Sequence, residues 1–301
     1  MTDLVEGLES EIRRHISRVM PADHSYLEQG TLVELMIDYR VWRGRFVRPT
    51  PRSVRVAAEL EQSPKRQAHV AALTAIEQKI AAGEEINSHL STRVAQPVGG
   101  DPAKAPSERA DRDLLLAEWG VHHLHLSTEM GKNRFTKRTR EVLFVVFREA
   151  DAYLLGIYDH PSHDNWAAQE IFAVMVRNWP DEGLAVQSRT AVGPSQDFSD
   201  DERLELRGAV NLALFIDGTV YFPAGFGLSL DGTPMRVVQA AQQVMWALTE
   251  WKNDTLTRLR EVESVPPDAH FRPAIASPVP GFEEYAGFSS GSVFIPIGRL
   301  C

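Results

Sequence analysis

One cysteine, Cys301, stands among 301 residues. That excludes an intramolecular disulfide and a zinc cage built on paired thiolates, and it fits a reducing, cytoplasmic setting. Long apolar runs are missing as well. No stretch reaches the roughly 20 residues that a membrane-spanning helix needs. Residues 1–20 interleave acids and arginines with aliphatics, unlike the apolar core of a signal peptide. No membrane partner is therefore expected. Cations are in deficit, with 32 Lys and Arg against 41 Asp and Glu and a net charge of -9. Such a balance excludes indiscriminate nucleic-acid binding, which draws on clustered cations that release condensed counterions. Any nucleic-acid contact has to be local.

The positive charge that is present is concentrated. Between Trp119 and Pro180 the chain reads Val121-His122-His123-Leu124-His125-Leu126, then a basic segment with Lys132, Arg134, Lys137, Arg138 and Arg140, then two apolar runs ending in Tyr158-Asp159-His160. The β-branched and aromatic runs at residues 141–147 and 153–158, joined by Arg148-Glu149-Ala150-Asp151, predict a hairpin of buried strands. Ser162 or Asp164 can cap a helix that follows, with Pro180 just beyond its end.

Around this stretch the patterns predict an α+β protein: an N-terminal helical region, then a small antiparallel-sheet α+β region with a second hairpin and a long C-terminal helix. Residues 1–95 carry helical stripes, among them Leu4, Leu8, Ile12 and Ile16, and a third helical pattern opens at Ser53 with Val54 and Val56. Basic and acidic side chains balance over this region, which reads as scaffold or docking surface. Residues 96–107, rich in Pro and Gly, read as a linker. Residues 108–185 form the small α+β unit, and residues 186–264 supply a hairpin around Asp217-Gly218 and a long helix from Met235 to Val262. The glycines before that helix lack the ending of a P-loop and the spacing of a dinucleotide fingerprint. The Pro- and Gly-rich tail, residues 265–301, is expected to wrap over the body.

If residues 121–126 form a strand, alternation places His123 and His125 on one face, about 7 Å apart, and His122 with the leucines on the other. Two imidazoles so placed suit proton transfer near neutral pH. Metal-independent cleavage of RNA needs a base for the 2′-hydroxyl, an acid for the leaving 5′-oxygen and cations for the charge on phosphorus. His123 or His125 is the candidate base and His160 the acid. Tyr158 orients the phosphate or substitutes in proton transfer, and Lys132, Arg134, Lys137, Arg138 and Arg140 contact the backbone. No cofactor and no metal is required. A metal-dependent hydrolase is the competing chemistry, with His160, His163, Asp159 and Asp164 as further ligands. A third reading is a non-catalytic interaction protein whose basic loop docks nucleic acid or an acidic partner.

The order of basic segment, Arg140-Glu141-Val142-Leu143-Phe144-Val145-Val146, short turn and Tyr153-Leu154-Leu155-Gly156-Ile157-Tyr158-Asp159-His160 resembles the central strands of RelE-type toxins, small ribonucleases that cut messenger RNA. The resemblance covers residues 134–160. It implies functional roles for Arg140, Tyr158 and His160, a toxin or phage-defence activity on RNA, and an antitoxin or other regulatory protein as partner. The family's members are short, basic single domains, whereas this chain is long and acidic.

Overall fold

In the computed structural model of the protein, residues 4–22, 24–98, 113–160, 169–191, 193, 198–206, 213–225, 227–229, 232–252, 255–260, 269–279 and 282–301 are described. Their contacts gather into two compact units. The first comprises Met1–Gly44, Gln96–Gly100 and Arg236–Cys301, and the second Arg45–Ala95 and Asp101–Met235. Most of the expected 96–107 linker lies outside the described residues. Among the described residues no helix is long and apolar enough to cross a membrane.

The strands of the second unit are β1 (Ser53–Val56), β2 (Val121–His125), β3 (Glu141–Phe147), β4 (Asp151–Asp159), β5 (Ala185–Gln187), β6 (Leu214–Ile216) and β7 (Thr219–Pro223). The first four make one sheet in the order β1-β4-β3-β2. β2, β3 and β4 are antiparallel neighbours, and β1 joins β4 in parallel. Val142, Leu143, Phe144, Val145 and Val146 are all buried. The run is apolar without a break because the middle strand is covered on both faces. Each such side chain, fully buried, contributes about 1.5–3 kcal/mol. β5, β7 and β6 form a separate sheet. Its Asp217-Gly218 turn has φ of 49° and 82°, the left-handed pair that a tight hairpin needs and that Asp-Gly accepts.

In the first unit β8 (Arg272–Val279), β9 (Glu283–Ser290) and β10 (Val293–Arg299) form an antiparallel meander with β9 in the middle. The helix Leu4–Val19 buries Val5, Leu8, Ile12 and Ile16, and the helix Met235–Lys252 buries Ala241, Val244 and Leu248. Helix Leu32–Arg43 starts on a capping box in which Thr31 and Glu34 satisfy each other's backbone N–H groups.

Three features correct the expected fold class. There is no single small sheet but three separate ones. The long helix is not C-terminal, because three strands follow it in the chain. The pattern opening at Ser53 is not a helix: Ser53–Val56 is a strand whose partner, β4, lies about a hundred positions further on, and only a four-residue helix, Ala58–Glu61, follows it. The tail likewise forms a sheet of its own. Pro273 and Pro278 fall on the edge strand β8, and Pro296 falls beside a register shift in the edge strand β10, where a missing N–H removes no interior ladder bond.

Candidate functional site

Pairing across the second unit's main sheet decides which histidines meet. His123 lies opposite Phe144 and His125 opposite Val142, and Val142 in turn lies opposite Tyr158. Side chains directly across a sheet share a face, so His123 and His125 share theirs with Tyr158 and, two residues on, with His160. The His160 N–H donates to the Arg140 carbonyl at 2.6 Å and continues the ladder past the end of β4. The ring centroids of His123 and His160 are 5.6 Å apart and nearly perpendicular, and those of His125 and His160 are 5.6 Å apart and nearly parallel. His122 belongs to the other face, edge-on to Phe147 at 5.4 Å. Three imidazoles thus meet at the end of the sheet. His123 is 7% and His125 3% exposed, whereas His160 is half-buried.

Each ring is held differently. Nδ1 of His123 lies 3.5 Å from Oδ2 of Asp113, while Oδ1 of the same carboxylate accepts the Leu116 N–H at 3.0 Å and caps helix Leu114–Trp119. Nδ1 of His125 accepts the backbone N–H of Thr139 at 3.2 Å. The backbone of His125 is fixed too, since Nδ1 of the buried His89 donates to its carbonyl at 3.1 Å, and Lys79 Nζ lies 3.1 Å from Nε2 of His89. Nη2 of Arg138 approaches His160 at 3.3 Å from Nδ1 and 3.4 Å from Nε2.

Burial sets the electrostatics. It pulls the pKa of His123 below the ordinary imidazole range. The Asp113 carboxylate works against that shift, and His160, Arg93 and Arg138 add to it. His125 falls to about 4, through burial first and then through His123, His160 and Arg138. Both rings are neutral at physiological pH, when a neutral imidazole keeps one nitrogen lone pair.

The other expected site residues are placed less favourably. The Tyr158 ring packs on Phe144 at 4.6 Å and so closely over Gly156 that an added Cβ there would stand 2.8 Å from it. Burial, with Glu170 and Glu59, pushes its hydroxyl up to about 12. It serves the core rather than the imidazoles. Arg140 is 87% exposed as a side chain and pairs with Asp159 at 3.6 Å. Lys137 is tied to Glu129. Arg134 is exposed, in a turn where it and Asn133 both have positive φ, 66° and 57°. The Lys132 side chain, His163 and Asp164 lie outside what is described. Among the described residues no group of His, Cys, Asp and Glu side chains is placed to hold a metal ion.

Sequence reasoning missed Asp113, Thr139 and His89. Asp113 had a signal, an acid directly before Leu114-Leu115-Leu116 where an N-cap belongs. Thr139 and His89 had none, because their roles exist only through the fold. Compared with family models, with curated proteins and with solved structures, the chain shows no significant match to any of them.

Proposed function

We propose that the pocket of His123, His125, His160 and Arg138 is a metal-independent acid–base site that cleaves a phosphodiester of RNA, in a cytoplasmic protein. One observation carries the reading. Imidazoles from β2 and from the end of β4 meet 5.6 Å apart with a guanidinium 3.3 Å from one of them. Those supply a base, an acid and a cation at one end of the sheet, and because both ring nitrogens of His123 are sealed from solvent, the substrate has to displace what covers them.

His123 is the base. The field of Asp113 favours the proton on Nδ1, which leaves the Nε2 lone pair to take the 2′-hydroxyl proton. The 2′-oxygen then attacks phosphorus. The P–O5′ bond breaks as His160 delivers a proton to the leaving oxygen, and a 2′,3′-cyclic phosphate and a 5′-hydroxyl result. Arg138 offsets the charge that builds on phosphorus.

The test is cleavage of RNA oligonucleotides by the full chain in excess EDTA, with the ends identified by mass spectrometry. Cyclic phosphate ends are expected, with His123→Ala slower by about 10²–10⁴-fold. Wild-type protein inert toward every RNA offered would sink the proposal. A second reading, RNA binding without turnover, draws on the near-complete burial of His123 and His125. Salt-dependent binding with no cleavage selects it.

A further inference from the structure

Among the rings of the pocket, His125 has its hydrogen bonding fixed by real donors and acceptors. Its Nδ1 accepts the Thr139 N–H at 3.2 Å, so the proton of the neutral ring sits on Nε2. The Thr139 hydroxyl does not compete for that arrangement. Its Oγ1 lies 3.3 Å from the same Nδ1, but it donates to the Glu141 carbonyl at 2.6 Å and accepts the Leu126 N–H at 3.0 Å. Residue 139 is therefore locked on both sides of the ring nitrogen.

The other side of the ring is open. His125 is 3% exposed, yet no described residue accepts a hydrogen bond from its Nε2–H. That nitrogen is not sealed from solvent, unlike both ring nitrogens of His123, so a donor whose tautomer is already fixed is presented to whatever enters the pocket. The charges that weigh most on the ring are those of His123, His160, Arg138 and His89, and Arg138 stands 3.3 Å from the ring of His160 that stacks on it. An anion is the ligand that suits a fixed N–H in that company. A cation would meet an N–H where it needs a lone pair, beside a guanidinium.

We propose that His125 is a fixed Nε2–H donor to an anionic oxygen, a nonbridging oxygen of the phosphodiester, and that Thr139 is the positioning residue that sets its tautomer. The identity of the anion rests on the phosphodiester reading above; the donor role does not. It removes His125 from the candidates for the base, since the lone pair that a base needs is engaged by Thr139.

Glutamine decides the matter, because its amide nitrogen reaches where the imidazole Nε2 stands and can donate but cannot exchange a proton at neutral pH. His125→Gln should cleave RNA within about tenfold of wild type, whereas His125→Ala should lose about 10²–10³-fold, the scale of a deleted oxyanion donor. Gln as inactive as Ala overturns the assignment. Imidazole ¹⁵N NMR on the full chain provides a readout that needs no turnover. His125 should show Nε2–H with a coupling across the hydrogen bond from Thr139, and inorganic phosphate should move the Nε2–H signal. A ring protonated on Nδ1, or a signal indifferent to phosphate, overturns it as well. Phosphate moving that signal in a protein that leaves RNA intact would retire the nuclease reading and keep the donor.

Discussion

Each unit of the molecule buries histidine beside other titratable groups, and the two are finished in opposite ways. In the first unit Nε2 of His15 donates to Oε2 of Glu284 at 2.9 Å, the Tyr39 hydroxyl donates to the same oxygen, and Arg43 reaches both Oε1 of Glu284 at 3.4 Å and the Tyr39 oxygen at 3.1 Å. Arg18 meets the remaining nitrogen of His15 at 3.3 Å. Here a carboxylate has hydrogen-bond donors on both oxygens, and the network ties helices Leu4–Val19 and Leu32–Arg43 to β9. In the second unit three imidazoles and Arg138 gather, and Asp113 is a carboxylate described against them, 3.5 Å from His123. A closed network built on a carboxylate holds a fold together; an open cluster of imidazoles with a guanidinium at its edge suits an anionic ligand.

Breaking the closed network should have the largest effect on stability. Glu284→Ala leaves Arg43 without its buried counter-charge and His15 and Tyr39 without their acceptor, and it should cost about 3–5 kcal/mol in urea unfolding. His123→Ala, in the open cluster, should cost no more than about 1–2 kcal/mol while slowing turnover by about 10²–10⁴-fold. Equal stability losses from the two would erase the distinction drawn here.

Acid separates the clusters next. Burial alone would raise the Glu284 carboxyl, but the hydrogen bonds from His15 and Tyr39 outweigh it and hold its pKa at about 2, below an ordinary 4.5. Its contribution is complete above the unfolded value and is lost as pH falls from 4.5 toward 2. His125, at about 4 against an ordinary 6.5, is a base kept neutral by burial. The unfolded chain binds its proton first, so that contribution is lost as pH falls from 6.5 toward 4. His123 and His89 are shifted the same way. Hydrogen exchange resolved by peptide should therefore show residues 121–160 weakening at higher pH than residues 4–19 and 283–299. The reverse order would contradict both assignments.

How much of this could be read from the chain follows from the range of each interaction. The alternation in Val121-His122-His123-Leu124-His125 shows His123 and His125 on one face, because a strand's period is local. That His160 joins them depends on two strand registers and is invisible in any window. Ser53-Val54-Arg55-Val56 has too few residues for periodicity to decide, and its pairing with β4 settles it as a strand. The prolines of residues 265–301 suggested a wrapping tail; the described ones, Pro273, Pro278 and Pro296, are tolerated because they fall on edge strands. Positions 15, 39, 43 and 284 have no sequence relation that could have announced a common carboxylate.

The finest comparison lies within the basic loop, between Arg138 and Arg140. Composition makes them equals, and the resemblance to RelE-type toxins favours Arg140. Geometry separates them. Arg140 points into solvent with Asp159 at 3.6 Å, an exposed pair worth about 0–1 kcal/mol, while Arg138 stands 3.3 Å from a ring of the pocket. Both arginines are exposed, so position makes the difference: a charge beside the reacting phosphate acts on the developing charge directly, and one paired away from it does not. Arg138→Ala should slow cleavage by about 10²-fold or more, and Arg140→Ala by less than about threefold, with little change in urea midpoint for either. If Arg140→Ala is the damaging substitution, phosphate sits outside the histidine cluster, along the loop, and the open network has some other purpose.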